Sequence, residues 1–527
     1  MFGNFIYLII VLLIYSTYQP PEETGFAPIE TLIIFFSLIF IFACFAWIQF
    51  HRLEKRISQE SFASLDHEFN STLTRQSVIA VMLFAINIYG LDLTSLLTNI
   101  SFFAIIPTFQ ALLFLGLFIG YLAIIWACAY EAYQKLYPTG LSRQSYILSN
   151  LSISIPVLFP WLILSGIADI IHALPFKLPK QFLATTEGEI VYFLVFLCIV
   201  AVIGPALIQK FWRCKPLETG YDRDRIEDLC KRAGVKYAEI LYWPIFGGRM
   251  ITAGVMGLTR KFRYILVTDA LLRILEPEEI NAVIAHEIGH VKKNHLLFYL
   301  GFFTGFMLLS YATFDLIIYF VVFTEPMYKF ISSTGFSQTT MTSAAFSLIT
   351  ILIFIVYFRY IFGYFMRNFE RQADLYVYTL FNSGKPLITT LEKIASSSGQ
   401  PMDKPNWHHF SIKERIDYLK KCESDKIWIN RHNRKIWNSI VVYLLVIFLT
   451  GCIGYNLNFG ETGKKLNRQF LETIIQRELD KNPEDPNLYK ILGDFYYSSK
   501  NYEETIKAYK QSLYLYPKNP EVLNNPA

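Results

Sequence analysis

The chain has 527 residues, of which 53% are hydrophobic, 17% aromatic and only 17% charged. This composition excludes an ordinary soluble globular protein and predicts a protein of the lipid bilayer. The net charge is +5, and the basic residues lie beside apolar runs, which argues against a nucleic-acid-binding surface. The seven cysteines show neither the spacing of a thiolate zinc site nor that of a disulfide framework.

Residues 1–209 are predicted to form a six-span membrane region, since a helix needs roughly 20 mainly apolar residues to cross a bilayer. The predicted spans are 2–18, 31–50, 77–97, 102–128, 146–172 and 189–209. We treat the first as a span rather than a signal peptide, because no Lys or Arg precedes it and no small-residue cleavage pattern follows it. Arg52, Lys55 and Arg56 follow the second span, so the positive-inside rule places 51–76 in the cytoplasm. The same rule places both ends of the six-span block there.

Residues 210–295 are mixed in character and rich in charges and glycines, which predicts a small soluble α/β subdomain. Its strands are predicted at Ala238–Tyr242, Met250–Met256 and Tyr264–Val267. Two apolar runs follow at about 296–323 and 343–366, and they predict a membrane hairpin.

The stretch before this hairpin contains the pattern His-Glu-x-x-His at 286–290. On a helix, His286 and His290 stand one turn apart with about 5–6 Å between their Cβ atoms, close enough to bind one metal ion. Glu287 then projects beside the ion, where a carboxylate can take a proton from an attacking water molecule, as in zinc metalloproteases. Pro277 and the acidic residues around it favour the start of a helix. The alternative is a chance pentapeptide on an amphipathic helix.

A polar segment after the hairpin, 367–374, provides a third metal ligand. On a helix Glu370 and Asp374 share one face, and Arg367 lies three residues before Glu370 on that side. We predict Glu370 as the ligand, because a carboxylate from a second helix is a standard complement to His-Glu-x-x-His. Asp374 is predicted to accept a hydrogen bond from the other ring nitrogen of a ligating histidine. Taken alone, the segment would be read as a solvated charged helix.

The sequences Ala-His-Glu-Ile-Gly-His-Val at 285–291 and Arg-x-x-Glu-Arg-Gln-Ala-Asp at 367–374 resemble the paired signatures of the integral-membrane gluzincins. That group contains the CaaX prenyl proteases and the bacterial heat-shock membrane proteases. The resemblance covers roughly 210–420 and implies a zinc endopeptidase with one Zn²⁺ per chain.

The same resemblance assigns three further parts of the site. His409 would help to stabilise the oxyanion, and Arg415 would brace the helix of Glu370, although Phe410 stands where the family usually has Pro. The segment of Thr252, Ala253 and Gly254 matches the edge strand that aligns the substrate, with Thr252 in place of the usual Asn.

A ninth span is predicted at 436–455, after basic residues that place its start in the cytoplasm and the tail 461–527 on the opposite side. Residues 486–519 resemble one tetratricopeptide repeat. The signature positions are Tyr489, Leu492, Gly493, Tyr496, Tyr509, Ser512 and Pro517. One repeat cannot bury its own apolar face, so we expect it to pack on the helix at about 462–480 or on a protein partner.

The predicted fold class is mainly α: a multi-span helical membrane protein with a small α/β gluzincin-type zinc protease domain and a C-terminal helical repeat. The protease domain is 210–433, including the hairpin 296–366, and the ninth span lies within 434–460. The predicted function is zinc-dependent hydrolysis of membrane or membrane-associated polypeptides. The family resemblance adds CaaX-type and quality-control proteins as options. The rival interpretation is a catalytically idle membrane scaffold that acts through its repeat. A transporter function is less consistent with the sequence, because the spans contain few ionisable residues.

Overall fold

The structure is a computed structural model that describes most of the chain. The described residues are 2–21, 26–57, 62–98, 100–137, 140–248, 250–324, 329–330, 333, 337–398, 401–404, 407–518 and 520–523. Part of the predicted hairpin turn, between 325 and 336, and Asn519 of the predicted repeat therefore lie outside the described residues.

The described chain is mainly helical, as its composition predicts. The α-helices are Phe2–Thr17, Pro28–Arg56, Phe62–Ala85, Ser95–Thr98, Ser101–Ile105, Pro107–Leu136, Arg143–Ser154, Phe159–Ala173, Lys177–Leu183, Thr186–Phe211, Tyr221–Arg232, Asp269–Ile274, Pro277–Lys292, His295–Phe323, Gln338–Val356, Gly363–Phe381, Lys385–Ser398, Ile412–Ser424, Ile427–Phe459, Glu461–Lys481, Pro486–Ser498, Tyr502–Leu515 and Pro520–Leu523. Single π-helical turns occupy Ile86–Gly90 and Tyr357–Phe362.

Among the described residues, seven helical segments are long and apolar enough to cross a membrane. They are Pro28–Arg56, Leu65–Gly90, Pro107–Leu136, Gly188–Phe211, His295–Val321, Gln338–Phe381 and Ile427–Asn458. The helices Arg143–Ser154 and Phe159–Ala173 form a pair bent by 63°, which would count as one broken span. The predicted first span is a helix of only 16 residues, Phe2–Thr17. The protein is thus a multi-span helical membrane protein, and the count of six spans before residue 210 stays a prediction.

The second helix of the predicted membrane hairpin continues without a break into the residues that include Glu370. Gln338–Phe381 is one helical segment of 44 residues. At 1.5 Å per residue it is about 66 Å long, roughly twice the 30 Å thickness of the hydrocarbon layer. The segment is therefore longer than one crossing of the bilayer needs, and its C-terminal part, Gly363–Phe381, is called the glutamate helix.

The chain divides into two compact units. One contains Met1–Thr304 and Ser347–Val441, and the other contains Gly305–Phe346 and Val442–Ala527. The sheet and all the predicted metal-site residues belong to the first unit, so the site is described within it alone.

The sheet of the first unit has four short strands in the order β1-β2-β4-β3. The strands are β1 Lys215–Pro216, β2 Glu239–Tyr242, β3 Ala253–Met256 and β4 Tyr264–Val267. β2 and β4 are parallel, whereas β1 and β3 run antiparallel to their neighbours. β3 is therefore an edge strand, and one side of its backbone has no strand partner among the described residues.

The helix Pro277–Lys292, called the motif helix below, packs on this sheet. Ile280, Ile284 and Ile288 recur every four residues and bury one face in the core cluster that contains the strand residues Ile240 and Ile265. Its start is favoured by Glu279, which accepts a hydrogen bond at 2.8 Å from the backbone N–H of Glu276.

The motif helix and the glutamate helix cross closely at Gly289. A Cβ atom on Gly289 would lie 2.9 Å from Tyr376 Cβ and 3.0 Å from Ala373 Cα, closer than normal contacts allow. The absence of a side chain at this point lets the two helices approach, because any larger residue would force them apart. The glycine inside the His-Glu-x-x-His pattern thus brings the two predicted ligand helices together.

The second unit contains the helices of the tail. Ser512 is fully buried, and its hydroxyl donates to the carbonyl of Pro486 at 2.7 Å. The Tyr496 hydroxyl donates at 2.8 Å to Glu472 on the preceding helix Glu461–Lys481. The helices Pro486–Ser498 and Tyr502–Leu515, which form the helical hairpin of the tail, therefore pack on that helix, as expected for a lone repeat. The assignment of this hairpin as a tetratricopeptide repeat stays a prediction.

Candidate metal centre and active site

Three side chains from the two crossing helices converge on one point. Nε2 of His286 and Nε2 of His290 are 3.3 Å apart. The Glu370 carboxylate lies 3.3 Å from the first of these nitrogens and 3.5 Å from the second. All three potential ligand atoms lie within 4.8 Å of one another. Two imidazoles and one carboxylate are a donor set that suits zinc, so the residues fit the metal that the sequence implies.

Glu287 lies beside this cluster rather than in it. Its Oε2 accepts a hydrogen bond at 3.2 Å from the backbone N–H of Val255 in the edge strand β3. Burial raises the pKa of the Glu287 carboxyl to about 7. A carboxyl group with a pKa near neutral is suited to taking and returning a proton.

Asp374 holds His286 from the side opposite the cluster. Its Oδ1 lies 2.9 Å from Nδ1 of His286, which leaves Nε2 for a metal. Arg415 donates two hydrogen bonds to the same carboxylate, from Nε at 2.9 Å and from Nη2 at 2.7 Å. Arg415 thus contacts the glutamate helix through Asp374, which is 2% exposed.

Arg415 is placed by the start of its own helix, Ile412–Ser424. Ser411 and Glu414 form reciprocal bonds there: the Ser411 N–H donates to the Glu414 carboxylate at 2.9 Å, and the Glu414 N–H donates to the Ser411 hydroxyl at 3.3 Å. Phe410, which stands at the position of the usual Pro, packs under the Arg371 guanidinium at 3.7 Å. An aromatic contact with the glutamate helix therefore occupies this position.

His409 and Arg367 lie at the same end of the glutamate helix. Nδ1 of His409 is 3.1 Å from Oε2 of Glu370. Arg367 contacts none of the three converging side chains in the described contacts, and instead donates at 2.6 Å to the carbonyl of Trp407. Arg367 therefore supports the backbone just before His409.

The cluster opens into a cavity of about 1030 Å³. Its polar side is formed by the cluster, Glu287 and the edge strand, and an apolar wall is formed by Leu387, Leu391 and Ile394 of the helix Lys385–Ser398. The cavity also reaches Phe5, on the short apolar helix Phe2–Thr17, and Trp212, which directly follows the candidate span Gly188–Phe211.

The predicted substrate residues Thr252, Ala253 and Gly254 lie at the start of β3, and their backbone groups face two different sides. The carbonyl of Thr252 accepts from the N–H of Thr268 at 3.3 Å, on the β4 side, whereas the Val255 N–H points away to Glu287. Backbone groups alternate along a strand, so Ala253 and Val255 present theirs to the open edge, and Thr252 and Gly254 turn towards β4.

Three residues near the centre were not identified from the sequence. His408 lines the cavity beside His409. His295 and Gln372 are buried and lie behind His290, on the side away from His286 and Glu370. The only sequence signal for His295 is a histidine at the first position of an otherwise apolar span.

Residues 216–423 match the model of peptidase family M48. This region resembles an M48 peptidase. It contains the three converging side chains, Glu287, Asp374 and Arg415, and is called the M48-like region below.

Curated relatives match shorter or similar lengths of this chain. CAAX prenyl protease 1 of Saccharomyces cerevisiae is 33% identical over 114 residues, which are 20% of this chain and 25% of that protein. A protease HtpX homolog of Sulfurihydrogenibium is 35% identical over 80 residues, 15% of this chain and 26% of the relative. Protease HtpX of Pseudomonas paraeruginosa is 26% identical over 181 residues, 34% of this chain and 58% of the relative. The chain thus spans between a quarter and somewhat over half of the length of these relatives.

A solved structure, that of Ste24p from S. mikatae, aligns with 76% of this chain and 100% of its own, with a TM-score of 0.43 and 21% sequence identity.

Proposed function

We propose that this chain is a membrane-embedded, zinc-dependent endopeptidase. The observation that carries the proposal is the convergence of His286, His290 and Glu370 in a cavity, with Glu287 held between the cluster and an open strand edge. The similarity of residues 216–423 to peptidase family M48 supports the same reaction class. A catalytically idle scaffold would be expected to have lost a ligand or the base, and the assembled site argues against it.

In this proposal His286, His290 and Glu370 hold one Zn²⁺. The bound ion supplies Lewis acidity, which polarises the scissile carbonyl and makes water more acidic. Glu287 takes a proton from the attacking water and returns it to the leaving amine, a role that fits its raised pKa and its fixed position beside β3. His409 stabilises the negative charge that develops on the carbonyl oxygen. Asp374 and Arg415 keep His286 oriented.

The substrate is proposed to bind as an added strand along β3. The open edge offers the backbone groups of Ala253, so recognition depends mainly on the peptide backbone and tolerates different sequences. Because the cavity reaches a short apolar helix and the end of a candidate span, we propose membrane or membrane-associated polypeptides as substrates. The name of the yeast relative adds prenylated CAAX proteins as one class, and quality-control substrates are the other.

We also propose that the M48-like region faces the cytoplasm and that the tail lies across the membrane. Basic residues flank the M48-like region beside its spans, which supports the first assignment by the positive-inside rule. The helix Ile427–Phe459 is long enough to carry the chain to the other side. There the helical hairpin of the tail is proposed to bind a protein partner.

The reaction class is tested with the purified full-length protein in detergent. We expect it to cut an unfolded model polypeptide internally. It should lose this activity when a chelator removes zinc and regain it when zinc is returned, because the ion supplies the Lewis acidity that makes the attacking water acidic. Fragments are identified by mass spectrometry, and prenylated and unprenylated forms of one peptide are compared. Undiminished cleavage by the zinc-free protein would exclude the proposed reaction.

The binding mode is tested at Ala253. Ala253→Pro removes the N–H from the open edge, and a backbone hydrogen bond is worth about 0.5–1.5 kcal/mol, so kcat/KM should fall by up to about 10-fold. Zinc content should not change. Ala253→Ser keeps the N–H and serves as the matched control. If Ala253→Pro cleaves peptides as well as Ala253→Ser does, the substrate does not pair with this edge.

A further inference from the structure

His295 is a buried histidine placed directly behind His290. The motif helix ends at Lys292, and Asn294 adopts a left-handed conformation with φ of 56°, which redirects the chain into the next helix, His295–Phe323. Asn is among the few residues that adopt this conformation readily. The turn brings His295, which is 1% exposed, back against the motif helix.

A chain of hydrogen bonds extends from His290 through His295. Nδ1 of His290 and Nδ1 of His295 are 2.9 Å apart. Nε2 of His295 is 2.9 Å from Oε1 of Gln372 on the glutamate helix. Nε2 of Gln372 donates at 2.6 Å to Oδ1 of Asn433. The His295 ring also stacks on Phe369, with 4.2 Å between the centroids and 8° between the planes.

The position of the three converging side chains decides which group is the donor in each of these hydrogen bonds. Nε2 of His290 faces His286 and Glu370, so its lone pair must be free for a metal and the proton of the neutral ring is on Nδ1. His290 therefore donates to His295 Nδ1. The neutral His295 then carries its proton on Nε2 and donates to the Gln372 carbonyl oxygen. The last hydrogen bond of the series is donated by the Gln372 amide NH2 to Asn433.

We propose that His295 is a positioning residue for the metal centre. It fixes the tautomer and ring orientation of His290, as Asp374 does for His286, and Gln372 and Asn433 fix the tautomer of His295 in turn. The two histidines of the cluster are thus held differently, one by a carboxylate and the other by a neutral imidazole. The inference rests on the proposed function, because it requires that His290 binds zinc.

The decisive variant is His295→Phe in the full-length protein. Phenylalanine preserves the ring that stacks on Phe369 and removes both nitrogens. Loss of such a partner typically lowers metal affinity by about 10–100-fold, so we expect a fall of this size in zinc affinity, measured by competition with a chelator of known affinity. His295→Gln restores a side-chain acceptor and should recover part of the affinity.

His432→Phe is the matched control. His432 is also buried, at 3% exposure, and its Nε2 lies 3.0 Å from the carbonyl oxygen of Asn368 on the glutamate helix. Its replacement removes a comparable hydrogen bond without touching His290. We expect reduced thermal stability in both variants but weaker zinc binding only in His295→Phe. Equal zinc affinities for His295→Phe and the wild type, or an equal loss in His432→Phe, would overturn the inference.

A second variant covers the case in which His295→Phe does not fold. Gln372→Met keeps the length of the side chain and removes the acceptor that fixes the tautomer of His295, so it should weaken zinc binding less than His295→Phe but measurably. Unchanged affinity in Gln372→Met would then reject the inference. If the wild-type protein binds zinc and the variants match it, only this inference fails; if the wild-type protein binds no zinc, the proposed function fails as well.

Discussion

Glu287→Gln is expected to abolish cleavage while zinc remains bound. Glu287 is not one of the three converging side chains, so its replacement removes no metal ligand. The Gln amide can still accept the N–H of Val255 through its oxygen, so β3 and the motif helix keep their contact. It cannot take a proton from water, and loss of a general base typically lowers the rate by about 100- to 10,000-fold.

The measurement combines the cleavage rate of a model polypeptide with the zinc content of the purified protein. Glu278→Gln makes the same chemical change on the exposed face of the motif helix and should leave both values unaltered. Normal cleavage by Glu287→Gln would show that the Glu287 carboxylate is not the general base. A loss of zinc together with activity would instead assign Glu287 to metal binding.

The second large effect is expected at Asp374, which is 2% exposed and binds both Arg415 and His286. Asp374→Ala leaves the Arg415 guanidinium buried without its partner, and breaking a buried pair in this way costs about 3–5 kcal/mol. It also removes the acceptor that orients His286, which should lower zinc affinity by about 10–100-fold. Stability is compared in the presence of a chelator, because bound zinc itself stabilises the folded state.

A double variant separates these two roles of Asp374. Asp374→Leu combined with Arg415→Met replaces both charged partners by apolar side chains of similar length, so much of the stability should return. Zinc affinity should stay low, because His286 still lacks its acceptor. If the double variant regains zinc affinity as well, Asp374 acts only through the ion pair. If Asp374→Ala is as stable as the wild type, the ion pair between Asp374 and Arg415 does not contribute the expected stability.

The sequence predicts which residues form the candidate site better than it predicts the residues that pack around that site. His286, Glu287 and His290 lie on one short helix, so helical periodicity is sufficient to place them together. The convergence of Glu370 with them depends on the crossing of two helices at Gly289, and periodicity indicates only which face of the second helix is involved. The family resemblance provided the remaining information.

The parts that were missed depend on contacts between distant residues. His295 meets His290 only because Asn294 turns the chain, and Gln372 reaches His295 from another helix. The division of β3 into open and paired backbone groups depends on its register with β4, which a sequence of four residues does not specify. The continuous helix 338–381 was divided at 366 because the apolar run ends there, although the helical backbone does not.

The order of the ligands along the chain has a consequence for biosynthesis. His286 and His290 leave the ribosome first, and two helices that can cross a membrane, His295–Val321 and Gln338–Phe381, are translated before the ligand set is complete. Because Glu370 lies in the second of these helices, a nascent chain has no complete set of zinc ligands until both have been synthesised. Under the proposed function, the nascent polypeptide therefore has no protease activity before Glu370 has been synthesised. The two histidines of the proposed zinc site thus wait for both helices, and the ligand that completes the site is part of the second helix itself.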